Sequence, residues 1–369
     1  MKTTAAVCRE PRTPFVFEEV ELPDPGVGQV LIRIAATGLC HSDVASRDGL
    51  LGAPFPAIFG HEGAGIAHSV GPEVTKVSVG DHVVLAPMSD GTCRECQMGA
   101  PMYCAHFDAL NLQTEPQGQV ARLADGGEAR IGYFGQSSFA YYALANERNA
   151  VKVPPEADLT LLGPLGCGIQ TGAGTVMNGL RPEPGSTIAI IGTGAVGLAA
   201  LLGAVVSGCA SIIAIDRVRS RLDLAVSLGA TDVIDTSDGR DIGSAIRAIV
   251  PHGVDYVVDA AGVPALIGQV MAGMGKLATL ALVAVPPTPD RQLELPWLTM
   301  LLAGQKVQGF IEGDSVPDVF IDRMIQLQRQ GRFPFEKLIR VYDFADLNQA
   351  VEDTHTGVTI KAVVRMAQS

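Results

Sequence analysis

The sequence has few charged residues, few aromatic residues and no apolar run near its start. Charged residues make up 18% and aromatic residues 5% of its 369 positions, whereas 47% are hydrophobic. Such a composition excludes an intrinsically disordered chain and indicates large buried sheets. The first residues, MKTTAAVCREPRTPF, do not contain the apolar core of a signal peptide. We therefore expect a cytoplasmic protein.

The sequence also lacks an excess of positive charge. Its formal net charge is -12, and this argues against nucleic acid or an anionic membrane as the main partner. Residues 185–215 contain no charged residue and are numerous enough to span a bilayer. Glycines interrupt this segment, however, and its ends, TIAII and SIIAI, are β-branched. We predict a buried strand–helix–strand unit there, and no membrane association.

The pattern of strands changes near residue 170. Before it, runs such as QVLIRIAATG and GDHVVLAP alternate with glycine and proline, which is typical of a mostly β domain. After it, STIAIIGTG, VDYVVDAAG and similar buried-type strands are separated by helix-length segments, which indicates βαβ units on a parallel sheet. Beyond residue 310 the pattern predicts two helices and a last strand, KAVVRM. The length also favours two domains.

A glycine-rich motif follows the first buried strand of the second region. GTGAVG places Gly192, Gly194 and Gly197 between TIAII and a helix. In that context the glycines allow a tight turn, the approach of a pyrophosphate and close helix–strand packing. Asp216 ends the next strand, where a carboxylate binds the adenosine ribose and repels a 2′-phosphate. We predict NAD rather than NADP, although Arg217 follows directly; a purely structural glycine turn is the alternative.

Three of the seven cysteines form a C-x2-C-x7-C pattern, at Cys93, Cys96 and Cys104. Because there is no secretory signal, metal binding or catalysis is expected rather than disulfides. Structural zinc is nearly always four-coordinate, and the residue three positions before Cys93 is Asp90. Asp90 is either an oxygen ligand or part of an Asp-Gly turn. We predict that it is the fourth ligand of a structural zinc.

A second potential metal site is spread over three motifs. Cys40 lies in GLCHSD, His61 in GHEGAG and Cys167 in GCGIQTG. Taken one at a time, each is more often a packing residue than a ligand. Together they form the Cys2His set that a catalytic zinc uses, with one coordination position open for water or substrate.

In these motifs the chain resembles the zinc-dependent medium-chain alcohol dehydrogenases. GHEGAG, GDHVV, the cysteine loop, GCGIQTG, GTGAVG and GVTIKAVV occur in the family's order over essentially the full length. The segment FGQSSFAYYALANERNAVKV is most similar to the branch that acts on benzylic, allylic and other bulky primary alcohols. The resemblance implies a GroES-like catalytic domain, residues 1–168 and 310–369, with an inserted Rossmann domain, residues 169–309. The active site would lie in the cleft between them.

The resemblance also implies roles for residues around the catalytic zinc. Cys40, His61 and Cys167 would be its ligands. Ser42 would accept the substrate proton, Asp43 would orient His61, and Glu62 would coordinate transiently. Many relatives have a proton-relay histidine where this chain has Ala45. The proton must therefore leave by another route.

The residues implied in NAD binding are spread along the chain. His41 and Lys361 would lie near the pyrophosphate, Arg221 against the adenosine ribose and Thr171 beside the nicotinamide. The glycine motif and Asp216 complete the set. Two zinc ions per chain, one catalytic and one structural, would accompany the NAD.

The implied reaction interconverts a primary alcohol, aromatic or allylic, and its aldehyde. Ala86, Tyr103 and Tyr133 suggest a roomy pocket with aromatic walls. Two alternatives are enzymes: a glutathione-dependent formaldehyde dehydrogenase and a dismutase with tightly held cofactor. A third is a catalytically silent NAD(H)-binding protein, and the intact set of zinc ligands argues against this third alternative. We expect a homo-oligomer, a dimer rather than a tetramer, formed through the apolar segment LPWLTMLLAGQKVQGF.

Overall fold

The structure, a computed structural model, describes residues 1–112, 119–286 and 292–366. These residues form two compact units. The first contains the described residues of 1–167, 316–324 and those from 336 on, and the second contains 168–315 and 325–335. The predicted boundaries assigned residues 168, 310–315 and 325–335 to the first domain, whereas their contacts join them to the second unit.

The first part of the chain consists mainly of short strands joined by turns, as its many glycines and prolines predict. The strands are β1 (Lys2–Cys8), β2 (Val16–Glu21), β3 (Gln29–Gly38), β4 (Ala57–Ile58), β5 (Glu62–Val70), β6 (His82–Leu85), β7 (Val120–Leu123), β8 (Glu128–Arg130), β9 (Tyr142–Asn146) and β10 (Ala150–Lys152). The helices are α1 (His41–Arg47), α2 (Arg94–Gln97), α3 (Phe107–Asn111) and α4 (Leu159–Leu162).

The second part alternates strands and helices. Its helices are α5 (Gly168–Gly174), α6 (Ala195–Ser207), α7 (Arg219–Ser227), α8 (Ile242–Ile249), α9 (Pro264–Gly273) and α10 (Trp297–Ala303). Its strands are β11 (Thr187–Ile191), β12 (Ser211–Asp216), β13 (Asp232–Asp235), β14 (Val254–Asp259), β15 (Met274–Leu282) and β16 (Lys306–Gly309). The chain then continues through α11 (Pro317–Arg329), β17 (Ile339–Asp343), α12 (Leu347–His355) and β18 (Lys361–Arg365).

In the first unit, the described strands form a closed barrel and a sheet. The barrel has the order β1-β2-β7-β8-β4, and the sheet has the order β10-β6-β5-β3-β18-β17, with β9 also paired to β3. The antiparallel register between β3 and β5 pairs Gly38 with Glu62. This register brings Cys40, just after β3, close to His61, just before β5. This backbone arrangement assembles two of the three predicted ligands of the second metal site.

In the second unit, the described strands form one parallel sheet in the order β13-β12-β11-β14-β15-β16. This is the doubly wound order of a dinucleotide-binding fold, and its switch point lies between β11 and β14. Ile190, Ile213 and Val257 are fully buried, as expected of strands covered on both faces. The predicted strand–helix–strand unit is confirmed as β11, α6 and β12. Within the described ranges, the helices are too short or too polar to cross a membrane.

The last strand returns to the first unit. β18 pairs antiparallel with β3, with Val363 opposite Gly38. This pairing places Lys361 beside the segment that carries Cys40. The prediction of two helices and a closing strand after residue 310 is confirmed by α11, α12 and β18.

Candidate active site and metal centres

Cys40, His61 and Cys167 come together as one cluster. Their ligand atoms all lie within 4.8 Å of one another. The Sγ atoms of Cys40 and Cys167 are 3.9 Å apart, and Nε2 of His61 is 3.2 Å from Sγ of Cys167. Two sulfurs bound tetrahedrally at about 2.3 Å from zinc are roughly 3.8 Å apart. The donor set and its spacing therefore fit a zinc ion.

Asp43 accepts hydrogen bonds from two of the three residues of this cluster. Its fully buried carboxylate accepts from Nδ1 of His61 at 2.7 Å and from the Gly60 backbone N–H at 3.1 Å through Oδ1. Through Oδ2 it accepts from the Cys40 backbone N–H at 2.9 Å, which also caps α1. With the Nδ1 proton of His61 held by Asp43, Nε2 is left to face a metal. The role predicted for Asp43 agrees with this geometry.

The surroundings of Cys40 favour the metal-binding form of its thiol. Hydrogen bonding with the Cys167 thiol outweighs desolvation, and with the charge of His61 it lowers the pKa of Cys40 well below its usual value. Burial by itself lowers the pKa of His61, but the charges of Asp43 and Cys40 raise it well above its usual value. Because the thiolate is the form of cysteine that binds metal, Cys40 is prepared for ligation.

Glu62 and Lys361 form a buried ion pair beside the cluster. Nζ of Lys361 lies 2.6 Å from Oε1 of Glu62 and donates to the carbonyl of Leu39 at 3.1 Å. Burial raises the pKa of Glu62, and Lys361 opposes that shift. Burial lowers the pKa of Lys361, but Glu62, Cys40 and Cys167 together raise it. Lys361 thus puts a positive charge close to two thiols, and its contact with a pyrophosphate stays a prediction.

Ser42 lies next to the cluster with its side chain half-buried. Its Oγ is 3.9 Å from Sγ of Cys40. The hydroxyl of Tyr133 donates to the Ser42 carbonyl at 3.1 Å and is hydrogen-bonded to Oγ of Ser46 at 2.8 Å. These contacts fix the backbone of Ser42 but leave its hydroxyl group for other partners. The buried methyl of Ala45 offers no path for a proton.

Aromatic rings surround His61, and Tyr133 is one of them. Phe134 stacks on the imidazole with ring centroids 4.4 Å apart, and Tyr133 contacts it edge-on at 5.6 Å. Phe59 contacts Tyr133 edge-on at 5.0 Å. Tyr103, in contrast, is 40% exposed. Of the two tyrosines suggested as pocket walls, Tyr133 is packed against the metal ligand, whereas Tyr103 lies at the surface.

Two residues that the sequence interpretation missed hold this region together. Phe134 has a left-handed φ of 49°, a conformation that a bulky residue adopts only when its surroundings impose it. The side-chain amide of Gln136 donates to the carbonyl of His61 at 2.9 Å and accepts from the Gly63 N–H at 3.0 Å. Both lie in the FGQSSF segment, which was used only as a family signature. Its polar residues between aromatic ones were the available signal.

The four residues of the cysteine loop also come together. Ligand atoms of Asp90, Cys93, Cys96 and Cys104 lie within 4.8 Å of one another, and the Sγ atoms of Cys93 and Cys104 are 3.9 Å apart. The spacing of these two sulfurs again matches a tetrahedral zinc. Three thiols and a carboxylate complete a closed set of four donors. The geometry therefore fits the prediction of a structural zinc.

Asp90 makes a turn at the same time. Its Oδ1 accepts from the N–H groups of Thr92 at 2.6 Å and Cys93 at 2.8 Å, and its Oδ2 accepts from Nδ1 of His106 at 2.6 Å. These contacts, first that of the Cys93 N–H and then that of His106, hold the pKa of Asp90 well below its usual range. Oδ1 also accepts from the hydroxyl of Thr92 at 3.3 Å, so the turn occupies that oxygen. Each carboxylate oxygen has two lone-pair sites, so Oδ2 keeps one site beside the His106 contact for a metal. Turn and ligand are thus compatible roles. His106, two residues after Cys104, was missed.

The glycine motif adopts the predicted turn. Gly192 has a φ of 84°, where a side chain would be strained, and a Cβ on Gly197 would collide with the Gly192 carbonyl. A Cβ on Gly194 would instead meet no atom within 4 Å, so the backbone at the start of α6 is open to an approaching group. Pyrophosphates bind at such helix N-termini. The motif fits a dinucleotide.

Asp216 stands at the end of β12 and faces the glycine turn. Its Oδ2 accepts from both the N–H and the hydroxyl of Thr193 at 2.7 Å, and its Oδ1 accepts from the Arg217 N–H at 2.7 Å. Asp216 therefore shapes the turn. Nε of Arg221 is buried and, among the described residues, has no hydrogen-bond partner. A buried N–H group without a partner is uncommon, and the one at Nε of Arg221 is consistent with a role in ligand binding.

The remaining predicted cofactor residues differ in their surroundings. His41, the first residue of α1, is exposed. Thr171 is 9% exposed, and its hydroxyl donates to Oε2 of Glu312 at 3.3 Å. Glu312 was not singled out in the sequence, although it opens an unusual Glu-Gly-Asp turn. Which of these residues contact the cofactor stays a prediction.

Comparison with known proteins agrees with this geometry. Residues 26–155 match the family described as "Alcohol dehydrogenase GroES-like domain", and residues 195–328 match "Zinc-binding dehydrogenase". The chain is 40% identical over 362 residues to the geraniol dehydrogenase of Castellaniella defragrans, which covers 98% of this chain and 96% of that one. It belongs to the zinc-dependent medium-chain alcohol dehydrogenases.

Solved structures agree with that assignment. The benzyl alcohol dehydrogenase of Acinetobacter calcoaceticus is 39% identical, covers 100% of both chains and has a TM-score of 0.94. An alcohol dehydrogenase zinc-binding domain protein from Burkholderia ambifaria is 44% identical, with the same coverage and a TM-score of 0.97. The predicted family and fold class, a GroES-like domain with a Rossmann-type domain, are confirmed. This alcohol dehydrogenase is an oxidoreductase of the branch that includes the geraniol and benzyl alcohol enzymes.

Proposed function

We propose that this dehydrogenase interconverts a bulky primary alcohol, aromatic or allylic, and its aldehyde, with hydride transfer to or from NAD. The observation that carries the proposal is the convergence of Cys40, His61 and Cys167 beside the hydroxyl of Ser42. The donor spacing fits zinc with a fourth position open, which is the arrangement of a catalytic rather than a structural site. The alternative of a silent NAD(H)-binding protein does not need such a set.

The residues of the chain have distinct tasks in this reaction. Cys40, His61 and Cys167 would hold a zinc ion, which when bound supplies Lewis-acid chemistry that lowers the pKa of an alcohol. Asp43 keeps the His61 ring in the tautomer that presents Nε2. The hydroxyl of Ser42 accepts the proton of the substrate hydroxyl. Since Ala45 cannot pass that proton on, the proton must reach water or another group by a different route.

NAD is the proposed cofactor, and it supplies the hydride-accepting ring. The open face at Gly194 suits its pyrophosphate, and the unpartnered Nε of Arg221 suits its adenosine ribose. Asp216 holds a negative charge at the end of β12, where a 2′-phosphate of NADP would be repelled. Thr171 is the residue proposed to lie beside the nicotinamide.

Two relatives support the proposed substrate class. The geraniol dehydrogenase at 40% identity and the benzyl alcohol dehydrogenase at 39% identity are named for an allylic and an aromatic primary alcohol. The aromatic rings of Tyr133 and Phe134 against His61 are compatible with such substrates. A roomy pocket at Ala86 remains a prediction.

The test is a panel of primary alcohols assayed by NADH formation. Benzyl alcohol, geraniol and linear alcohols of equal carbon number are compared, with Cys40→Ser as the zinc-free control. We expect kcat/KM to be highest for the aromatic or allylic substrates, and no stimulation by glutathione. Activity only on a glutathione adduct of formaldehyde would favour the formaldehyde dehydrogenase alternative. No turnover with any alcohol, despite bound zinc and NAD, would refute the proposal.

We also propose a dimer formed through the edge of the parallel sheet. β16 is the last strand of that sheet within the described residues, and α10 precedes it. Four large side chains of α10 are between 65% and 83% exposed: Trp297, Leu298, Leu301 and Leu302. Apolar side chains clustered on one short helix usually mark an interface. A dimer that covers them removes this surface from water.

A further inference from the structure

Glu312 is a buried carboxylate that has no task in the reaction as described above. It is 8% exposed and opens the turn Glu312–Asp314 in the second unit. Three successive residues of this turn have positive φ, 49° at Glu312, 66° at Gly313 and 50° at Asp314. Two of them are not glycine, and such conformations persist only where the surroundings impose them, most often at functional sites.

This conformation is imposed by contacts with α5 and with the π-helical segment that follows it, Thr175–Leu180. The Gly313 carbonyl accepts from the side chain of Asn178 at 3.2 Å. A Cβ on Gly313 would collide with the Gln170 carbonyl and would lie 2.9 Å from that of Thr171. A Cβ on Gly174 would in turn collide with the Gly313 carbonyl. The turn and α5 are therefore packed backbone against backbone, with no space for adjustment.

This packing places the Glu312 carboxylate within hydrogen-bond distance of the Thr171 side chain. Its Oε2 accepts from Nε2 of Gln170 at 3.2 Å and from Oγ1 of Thr171 at 3.3 Å. Helix α5 begins one residue after the metal ligand Cys167 and packs closely on α6, where a Cβ on Gly172 would lie 2.8 Å from that of Ala199. The Glu312 carboxylate is thus hydrogen-bonded to side chains of α5, the helix that follows Cys167 and packs on α6.

We propose that Glu312 is a positioning residue that holds Thr171 in place and makes the site favour oxidised over reduced nicotinamide. The proposal rests on the proposed function, which puts Thr171 beside the nicotinamide. The oxidised ring carries a positive charge and the reduced ring does not. A carboxylate out of water attracts the oxidised ring more strongly than it would in solvent.

The experiment measures the dissociation constants of NAD and NADH separately, by titration of the zinc-loaded full chain. Glu312→Gln removes the charge while preserving shape and hydrogen bonding. We expect the Kd of NAD to rise about tenfold and that of NADH to change less than about twofold. Asp314→Asn is the matched control, because it removes the same charge from the same turn at a half-buried position. It should leave the ratio of the two constants within about twofold of wild type.

If Glu312→Gln weakens the binding of NAD and NADH equally, or weakens neither, the ratio of the two dissociation constants is unchanged. Either outcome would overturn the proposal and leave Glu312 at most a structural role. Glu312→Asp keeps the charge and should keep the ratio while raising the KM for NAD. If the glutamine variant does not fold, a changed ratio in the aspartate variant overturns the proposal. Failure of the wild type to bind NAD at all would instead refute the proposed function, so the two failures are distinguishable.

Discussion

The substitution that separates the two roles of Asp90 is Asp90→Asn. Asparagine keeps an oxygen in the place of Oδ1, so the N–H groups of Thr92 and Cys93 at 2.6 and 2.8 Å stay capped. It replaces Oδ2 with an amide nitrogen, which has no lone pair for a metal. The new amide can still donate to Nδ1 of His106, because a neutral imidazole can carry its proton on the other ring nitrogen. A role confined to the turn should therefore survive this substitution, and a ligand role should not.

The magnitudes follow from these contacts. Losing a side-chain cap costs about 1 kcal/mol. A metal that binds only the folded chain and is present at about 100 times its Kd stabilises it by about 2.7 kcal/mol. Asp90→Asn should thus lose up to about 2.7 kcal/mol, and Asp90→Ala about 1 kcal/mol more. Asp90→Cys should lose only the cap, because the thiolate restores a ligand.

The assay is zinc content per chain by elemental analysis, together with thermal unfolding. The wild type has two donor clusters and should contain two zinc ions, whereas Asp90→Asn should retain the catalytic ion alone. Asp108→Asn, an exposed aspartate of the neighbouring helix α3, is the matched control and should keep both ions. An Asp90→Asn protein with two zinc ions and wild-type stability would show that the aspartate only makes the turn.

Four further substitutions test the site and the assembly. Ser42→Ala should lower kcat by about 100-fold or more at unchanged zinc content, since positioned proton transfer contributes that much; normal turnover would exclude the proton path. Asp43→Asn should weaken catalytic zinc binding by 10- to 100-fold, measured by chelator competition. The wild type should prefer NAD to NADP by at least about tenfold in kcat/KM, a preference that Asp216→Asn should reduce; equal efficiency in the wild type would refute the role of Asp216. Trp297→Asp should convert a dimer into monomers in light scattering, and a monomeric wild type would contradict the proposed interface.

Much of the candidate site could be predicted because its parts are short in sequence. Cys93, Cys96 and Cys104 are predicted as ligands from their spacing, and the glycine motif is recognisable by the strand before it and the helix after it. Metal ligation and phosphate binding each depend on the type and spacing of a few residues. Such information is local, so the sequence alone was sufficient to place both sites and to propose Asp90 as the fourth ligand.

Other contacts could not be predicted because they join distant segments. Lys361 pairs with Glu62 only because β18 is added to β3, and nothing in KAVVRM indicates a buried cation beside two thiols. His106 contacts Asp90 at 2.6 Å because the folded cysteine loop brings together two residues that are sixteen positions apart. Phe134 stacks on His61 through a strained backbone that no propensity predicts.

The types and spacing of residues specify the chemistry available to this protein: the thiols and imidazole for zinc, the glycines for a pyrophosphate and the strand patterns for two kinds of domain. Which charges face which groups depends on how the chain folds. Glu312 lies more than a hundred residues from Thr171 in the chain, yet their side chains are 3.3 Å apart. Electrostatic interactions depend on distance and burial rather than on sequence separation, so this part of the site emerged only from the packing of the chain.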